Sequence, residues 1–217
     1  MLTTSGQQPL IQSYLLLRKG IGIIGVALPF VLILGKIILE SPGISGSLSA
    51  YYYSVMRDVF VGSLWVVAIF LICYRYDTLD DLASTLAGIS AIGVSLLPTT
   101  PDLGATPRQT AIGLAHTSFA TCFFLILALM AIFLFRRTDQ ENPTQRKQQR
   151  NMVYLICGIV ILVCVVLAAL ILLVPYLNSV SWLRSLHSIF WLESVSVLAF
   201  GVAWFVKGET LGVLKDE

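Results

Sequence analysis

Residues 136–174 read RRTDQENPTQRKQQRNMVYLICGIVILVCVVLAALILLV. Arg136, Arg137, Arg146, Lys147 and Arg150 crowd a short polar segment, and the run that follows it is almost wholly Ile, Leu, Val and Ala. A bilayer core about 30 Å thick needs about 20 apolar residues at about 1.5 Å rise each, so residues 152–174 predict a membrane-spanning helix. The basic segment sets its direction, because cytoplasmic connections hold Lys and Arg in excess.

The same reading, carried outward along the chain, predicts further helices near 20–40, 55–75, 79–97, 110–135 and 182–206. The expected architecture is an all-α, six-helix transmembrane bundle forming one domain over 1–217. With the 136–150 connection inside, alternation also puts Arg18, Lys19, Arg75, Lys207 and Lys215 inside, so both termini are expected in the cytoplasm (N-in, C-in). Arg57, Arg108 and Arg184 then sit near helix starts on the outer side.

Composition agrees with this reading. The chain is 57% hydrophobic and 12% charged, whereas soluble domains carry about 25% charged residues. The net charge of +2 argues for no nucleic-acid partner, since the basic residues fall where topology puts them. Cys73, Cys122, Cys157 and Cys164 lie within apolar runs and read as small buried hydrophobes, with no disulfide framework or Cys-x-x-Cys metal motif. Reduced-type cysteines, short loops and internal termini point to a bacterial plasma (inner) membrane, with membrane lipids as the expected partners.

Local signals refine the elements. Pro29 in mid-helix predicts a kink, Lys36 and Glu40 stand at ion-pair spacing, and TLDD at 78–81 has capping-box spacing before the third helix. Ser84, Gly88, Ala91 and Ser95 make a small-residue seam for close helix packing.

Ionisable residues inside a membrane are costly and are functional candidates by default. Asp58, His116 and His187 fall at about the same depth below the outer surface on the second, fourth and sixth predicted helices. His187, Trp191 and Ser194 share a face of the sixth helix, with Arg184 one turn above, whereas Glu193 is rotated away and would join them only through a break in the helix.

Three readings of the cluster compete. In one, Asp58, His116 and His187 are catalytic and hold a divalent metal such as zinc, whose bound water attacks a lipid ester or amide. In another they hydrogen-bond across helices and serve structure alone. In the third, the two histidines ligate a haem. Tyr51, Tyr52 and Tyr53 read either as an interfacial aromatic belt or, with Arg184, Trp191 and Glu193, as a substrate-binding lip.

Three stretches, SPGISGSLSAYYYS, GVSLLPTTPD and HTSFATCFF, occur in the order loop, helix end and fourth helix. This order resembles bacterial multipass membrane proteins of unknown function in the DRAM/Sfk/Frag-type superfamily. The resemblance implies a six-helix fold and roles in lipid remodelling, and it carries over His116 as the histidine opening the fourth helix.

The expected function is therefore action on, or binding of, a lipid or amphiphile in the outer leaflet, as a metal-dependent hydrolase in its enzymatic form. The alternatives are a non-catalytic scaffold whose basic 136–150 connection meets a partner, a small-solute transporter, and a haem-binding membrane protein.

Overall fold

The computed structural model describes residues 4–138 and 143–208; Lys215, placed inside by the sequence, lies outside them. Among the described residues the long helices are α1 (Thr4–Leu39), α2 (Arg57–Cys73), α3 (Thr78–Leu96), α4 (Pro107–Leu129) and α5 (Gln145–Leu173). Two short helices follow, α6 (Pro175–Ser179) and α7 (Ser181–Ser185), and α8 (Ser188–Lys207) closes the bundle. The described residues form no strand.

Caps set several starts away from the expected positions. Asp77, not Thr78, caps α3 by accepting from the Leu79 amide at 2.8 Å. Thr106 and Gln109 form a full capping box on α4, with Pro107 at the first helical position, where its missing N–H costs nothing. Thr144 accepts from the Lys147 amide at 3.1 Å, which starts α5 two turns before its apolar run. At the far end of α4, Met130–Leu134 form a π-turn, and the Phe135 amide reaches back to the Met130 carbonyl at 2.9 Å. α1 is helical without interruption through Pro29.

Each long helix packs on the next, and α8 returns to pack on α1 and α5, so α1, α2, α3, α4, α5 and α8 make a closed ring. Lipid tails are as apolar as Leu, so helix contact in a membrane depends on close approach rather than on a hydrophobic drive. Glycines supply that approach. A Cβ on Gly25 of α1 would lie 2.9 Å from the Gly201 Cα of α8, and one on Gly158 of α5 would lie 2.9 Å from the Ala128 carbonyl oxygen of α4. The seam of Ser84, Gly88, Ala91 and Ser95 is buried, with Gly88 against the Ala68 carbonyl of α2.

One end of the ring is basic. There Arg137 reaches Asp77 at 2.7 Å and Asp80 at 3.5 Å, Arg18 donates to the Lys207 carbonyl at 3.3 Å, and Lys207 lies 5.0 Å above the rings of both Tyr76 and Phe135. Phe135 also packs edge-on against Tyr154 and Trp204, the π-turn having carried it into the core.

Five described helices are long and apolar enough to cross a membrane: Leu15–Leu39, Thr78–Leu96, Pro107–Leu134, Gln145–Leu173 and Ser188–Lys207. α2, at 17 residues, is roughly 26 Å long, at the short end of the spanning range. Two expectations are corrected here. Cys73 and Cys122 are exposed on the helix surface, and only Cys157 and Cys164 are buried. The helix expected over 182–206 is broken at His187, whose φ of 53° and ψ of 45° are left-handed, so α8 begins only at Ser188.

Candidate functional site

The end of the ring away from the basic cluster carries a groove of about 690 Å³. Its walls come from the end of α1 (Lys36, Glu40), the turn at Ser49–Tyr53 (Ala50, Tyr53), the loop after α3 (Thr99, Thr100, Asp102), the end of α5 (Ile171, Leu172) and the 174–189 segment (Leu177, Asn178, Leu183, Arg184, His187, Ile189). The wall is polar on the side of α1 and the loops, apolar at the end of α5, and mixed along the segment after it.

Hydrogen bonds hold the rim. Lys36 donates to Glu40 Oε1 at 3.1 Å, the pairing that the sequence spacing predicted, and the Val55 amide donates to Glu40 Oε2 at 2.9 Å. The Val55 amide first, and the Lys36 side chain second, hold the Glu40 carboxyl below its usual range. Tyr53 donates to the Thr99 carbonyl at 2.6 Å and joins the turn to the α3–α4 loop. Arg184 donates through Nε to the Asn178 carbonyl at 2.7 Å and through a terminal nitrogen to Asn178 Oδ1 at 3.4 Å, which bends 174–187 into a strap over the groove.

The strap has two faces. Tyr176, Trp182 and Leu186 are exposed on its outside, while Leu177, Asn178, Leu183 and Arg184 line the groove. It springs from Pro175, which ends the α5 ladder and opens α6.

Beneath the groove the loop after α1 is fastened to α8. Glu193 Oε2 accepts from the Leu48 amide at 2.6 Å and the Ser49 amide at 3.4 Å, and the Phe190 amide donates to the Gly46 carbonyl at 3.2 Å. A second cavity of about 30 Å³, lined by Glu193, Leu48, Ser49, Phe60 and other apolar groups, lies on the inner side of this fastening. That is room for a single water.

The residues picked out by the sequence fare differently. His116 is buried, and its Nδ1 lies 2.6 Å from the Leu97 carbonyl oxygen, so Nδ1 carries the proton and donates. Leu97 follows the last turn of α3, where carbonyls lack helical partners, and His116 supplies one. Asp58 is exposed in the first turn of α2, where a carboxylate suits the helix dipole. Arg57 turns to Tyr52 instead, with its guanidinium 4.3 Å over the ring and a 2.7 Å hydrogen bond to the phenol oxygen. Of the three, only His187 lines the groove.

These placements give the expected three-ligand zinc site no support: Asp58 is exposed, His116 is buried against the Leu97 carbonyl, and His187 alone lines the groove. No group of three or more His, Cys, Asp or Glu side chains converges among the described residues. Asp58, His116 and His187 come from α2, α4 and the corner before α8, which are not consecutive in the ring. The substrate lip is also redistributed. Tyr51 is fully buried against Phe190, Trp191 faces outward, Ser194 is buried, and Glu193 holds a loop rather than meeting the groove. Tyr53 and Arg184 remain at the groove. The Lys36–Glu40 pair, Asp102 and the strap were missed as site features; Pro175 followed by Asn178 was the signal for the strap.

Long apolar helices packed in a ring, with basic residues gathered at one end, define a multipass all-α membrane protein. The family model described as serpentine type 7TM GPCR chemoreceptor Srv matches residues 89–195, from late α3 to early α8 and a little under half of the chain. This match overturns the resemblance to the DRAM/Sfk/Frag-type superfamily, and with it the carry-over of His116, and it lends no support to the bacterial inner membrane expected from the cysteines, loops and termini. No curated protein and no solved structure matches the chain.

Proposed function

We propose that this chain is a ligand-binding membrane protein of receptor or carrier type, and that the groove at the end opposite the basic cluster faces outward and takes the ligand. The groove carries the reading: about 690 Å³ is a ligand-sized volume, and it is a concave site where polar and charged groups converge beside the apolar side chains of Ile171, Leu172, Leu177, Leu183 and Ile189. Its outward direction rests on Arg18, Lys19, Arg75, Arg136, Arg137, Arg146, Lys147, Arg150 and Lys207 at the other end, the composition of a cytoplasmic face. On that orientation six crossings put both ends of the chain inside. The chemoreceptor description of the matching family supports ligand sensing over hydrolysis.

The test is thermal unfolding of the purified protein against a panel of small polar and amphiphilic molecules, with Arg184→Gln and Asp102→Asn in parallel. A binder present at 100 times its Kd stabilises by about 2.7 kcal/mol, a readily measured rise in Tm. The reading predicts compounds that raise the Tm of the native chain and lose that effect in the variants. Stabilisation unaffected by either variant would place the ligand elsewhere.

A further inference from the structure

The proposal rests on the ligand-binding reading above and names the ligand class: we propose that the groove takes a zwitterionic phospholipid-like amphiphile, drawn sideways from the adjoining leaflet beneath the 174–187 strap. Three observations carry it.

The first is the strap's position. Tyr176, Trp182 and Leu186 are 76%, 60% and 57% exposed. Tyr and Trp with one wet and one apolar side settle at the headgroup level of a membrane. Leu177 and Leu183 on the same strap line the groove, so a strap seated among headgroups would have the cavity directly behind it.

The second is the division of the wall. Ile171, Leu172, Leu177, Leu183 and Ile189, from the end of α5 and the segment after it, bring apolar contact suited to hydrocarbon to a groove whose other walls are polar. A ligand that dissolves wholly in water would gain little from it.

The third is the charge. Lys36 and Glu40 are paired with each other. Arg184 uses Nε and one terminal nitrogen on Asn178, which leaves donor capacity on its guanidinium. Asp102 is exposed and makes no ion pair among the described residues. Besides the Lys36–Glu40 pair, Arg184 and Asp102 line the same groove, and a phosphate against Arg184 with an ammonium against Asp102 would answer both charges. A singly anionic headgroup would leave Asp102 opposed by like charge.

The experiment is native mass spectrometry of the delipidated full chain titrated with dioleoyl phosphatidylethanolamine, dioleoyl phosphatidylglycerol and soluble glycerophosphoethanolamine, for the native chain, Arg184→Gln and Asp102→Asn. Losing one charge-assisted contact is expected to weaken phosphatidylethanolamine retention about tenfold in each variant. Retention of phosphatidylglycerol should be weaker in the native chain and should rise in Asp102→Asn. Equal retention of both lipids, unchanged in both variants, would mean surface lipid only and overturn the proposal. Binding of the soluble headgroup as tight as that of the lipid would also overturn it, while leaving a ligand-binding groove intact. Asp102 lies on an exposed loop and its variant should fold, so the outcome does not hang on Arg184 alone.

Discussion

Glu193, one and a half turns into α8, accepts the Leu48 amide at 2.6 Å across 145 residues of sequence, and so an acid within the membrane-spanning ring fixes the loop that floors the groove. A buried hydrogen bond to a charged group contributes about 1.5–3 kcal/mol, and leaving the amides unpaired adds a further cost. Glu193→Leu should therefore destabilise the chain by about 3 kcal/mol, and Glu193→Gln, which keeps an acceptor, by about 1. Denaturant-dependent unfolding in detergent checks the order; equal losses would mean that the carboxylate's acceptor role is not what matters.

His116 and His187 separate into two roles that one pair of substitutions distinguishes. His116→Ala removes a buried hydrogen bond to the Leu97 carbonyl and leaves a cavity, so a loss of about 2–4 kcal/mol is expected, with groove binding retained in the protein that folds. His187→Gly should cost little or stabilise by up to about 1 kcal/mol, because the left-handed backbone there suits glycine, whereas His187→Val should cost more than about 1 kcal/mol. If His187→Gly unfolds the chain, the left-handed break is not the determinant of the α7–α8 corner.

Packing of α1 against α8 makes a further contrast. A Cβ on Gly201 would stand 2.8 Å from the Val26 backbone nitrogen, which cannot move without shifting α1, so Gly201→Ala should cost several kcal/mol. Gly62 meets nothing within 4 Å on an exposed face of α2, and Gly62→Ala should stabilise by about 0.5–1 kcal/mol through helix propensity. Thermal unfolding of the two single variants decides; similar Tm values would contradict the close crossing.

A pH effect follows from Glu40. Its carboxyl is held below the usual range by the Val55 amide and by Lys36, so the folded state binds its proton later than the unfolded chain. The stabilisation is complete above the ordinary carboxylate pKa of about 4.3 and is lost as pH falls through the lower folded value. The protection factor of the Val55 amide, its exchange rate divided into the intrinsic rate at each pH, should fall in that acid window in the native chain and be low at all pH in Glu40→Ala. A protection factor independent of pH in the native chain would remove this contact.

Much of the bundle was legible because its signals are local. Apolar runs bounded by basic residues gave the helices, the small residues of α3 gave its buried seam, and the spacing of Lys36 and Glu40 gave their pair. The site was less legible because depth along a helix is one coordinate and rotation around the ring is another. Asp58 is exposed, His116 is buried and His187 lines the groove, so similar positions along three helices did not give shared surroundings. The break at His187 carries no Gly or Pro to announce it, and the apolar pattern runs straight across it, so the expected face of His187, Trp191 and Ser194 never forms. The partner of Glu193 lies 145 residues away in a loop, beyond any periodicity.

The claim that the groove faces outward is tested most directly by thiol labelling in intact cells, using a chain from which Cys73, Cys122, Cys157 and Cys164 have been removed. Asp102→Cys in that background should react with a membrane-impermeant maleimide, and Lys147→Cys should react only after the cells are permeabilised. The reverse pattern would put the groove inside and contradict the account.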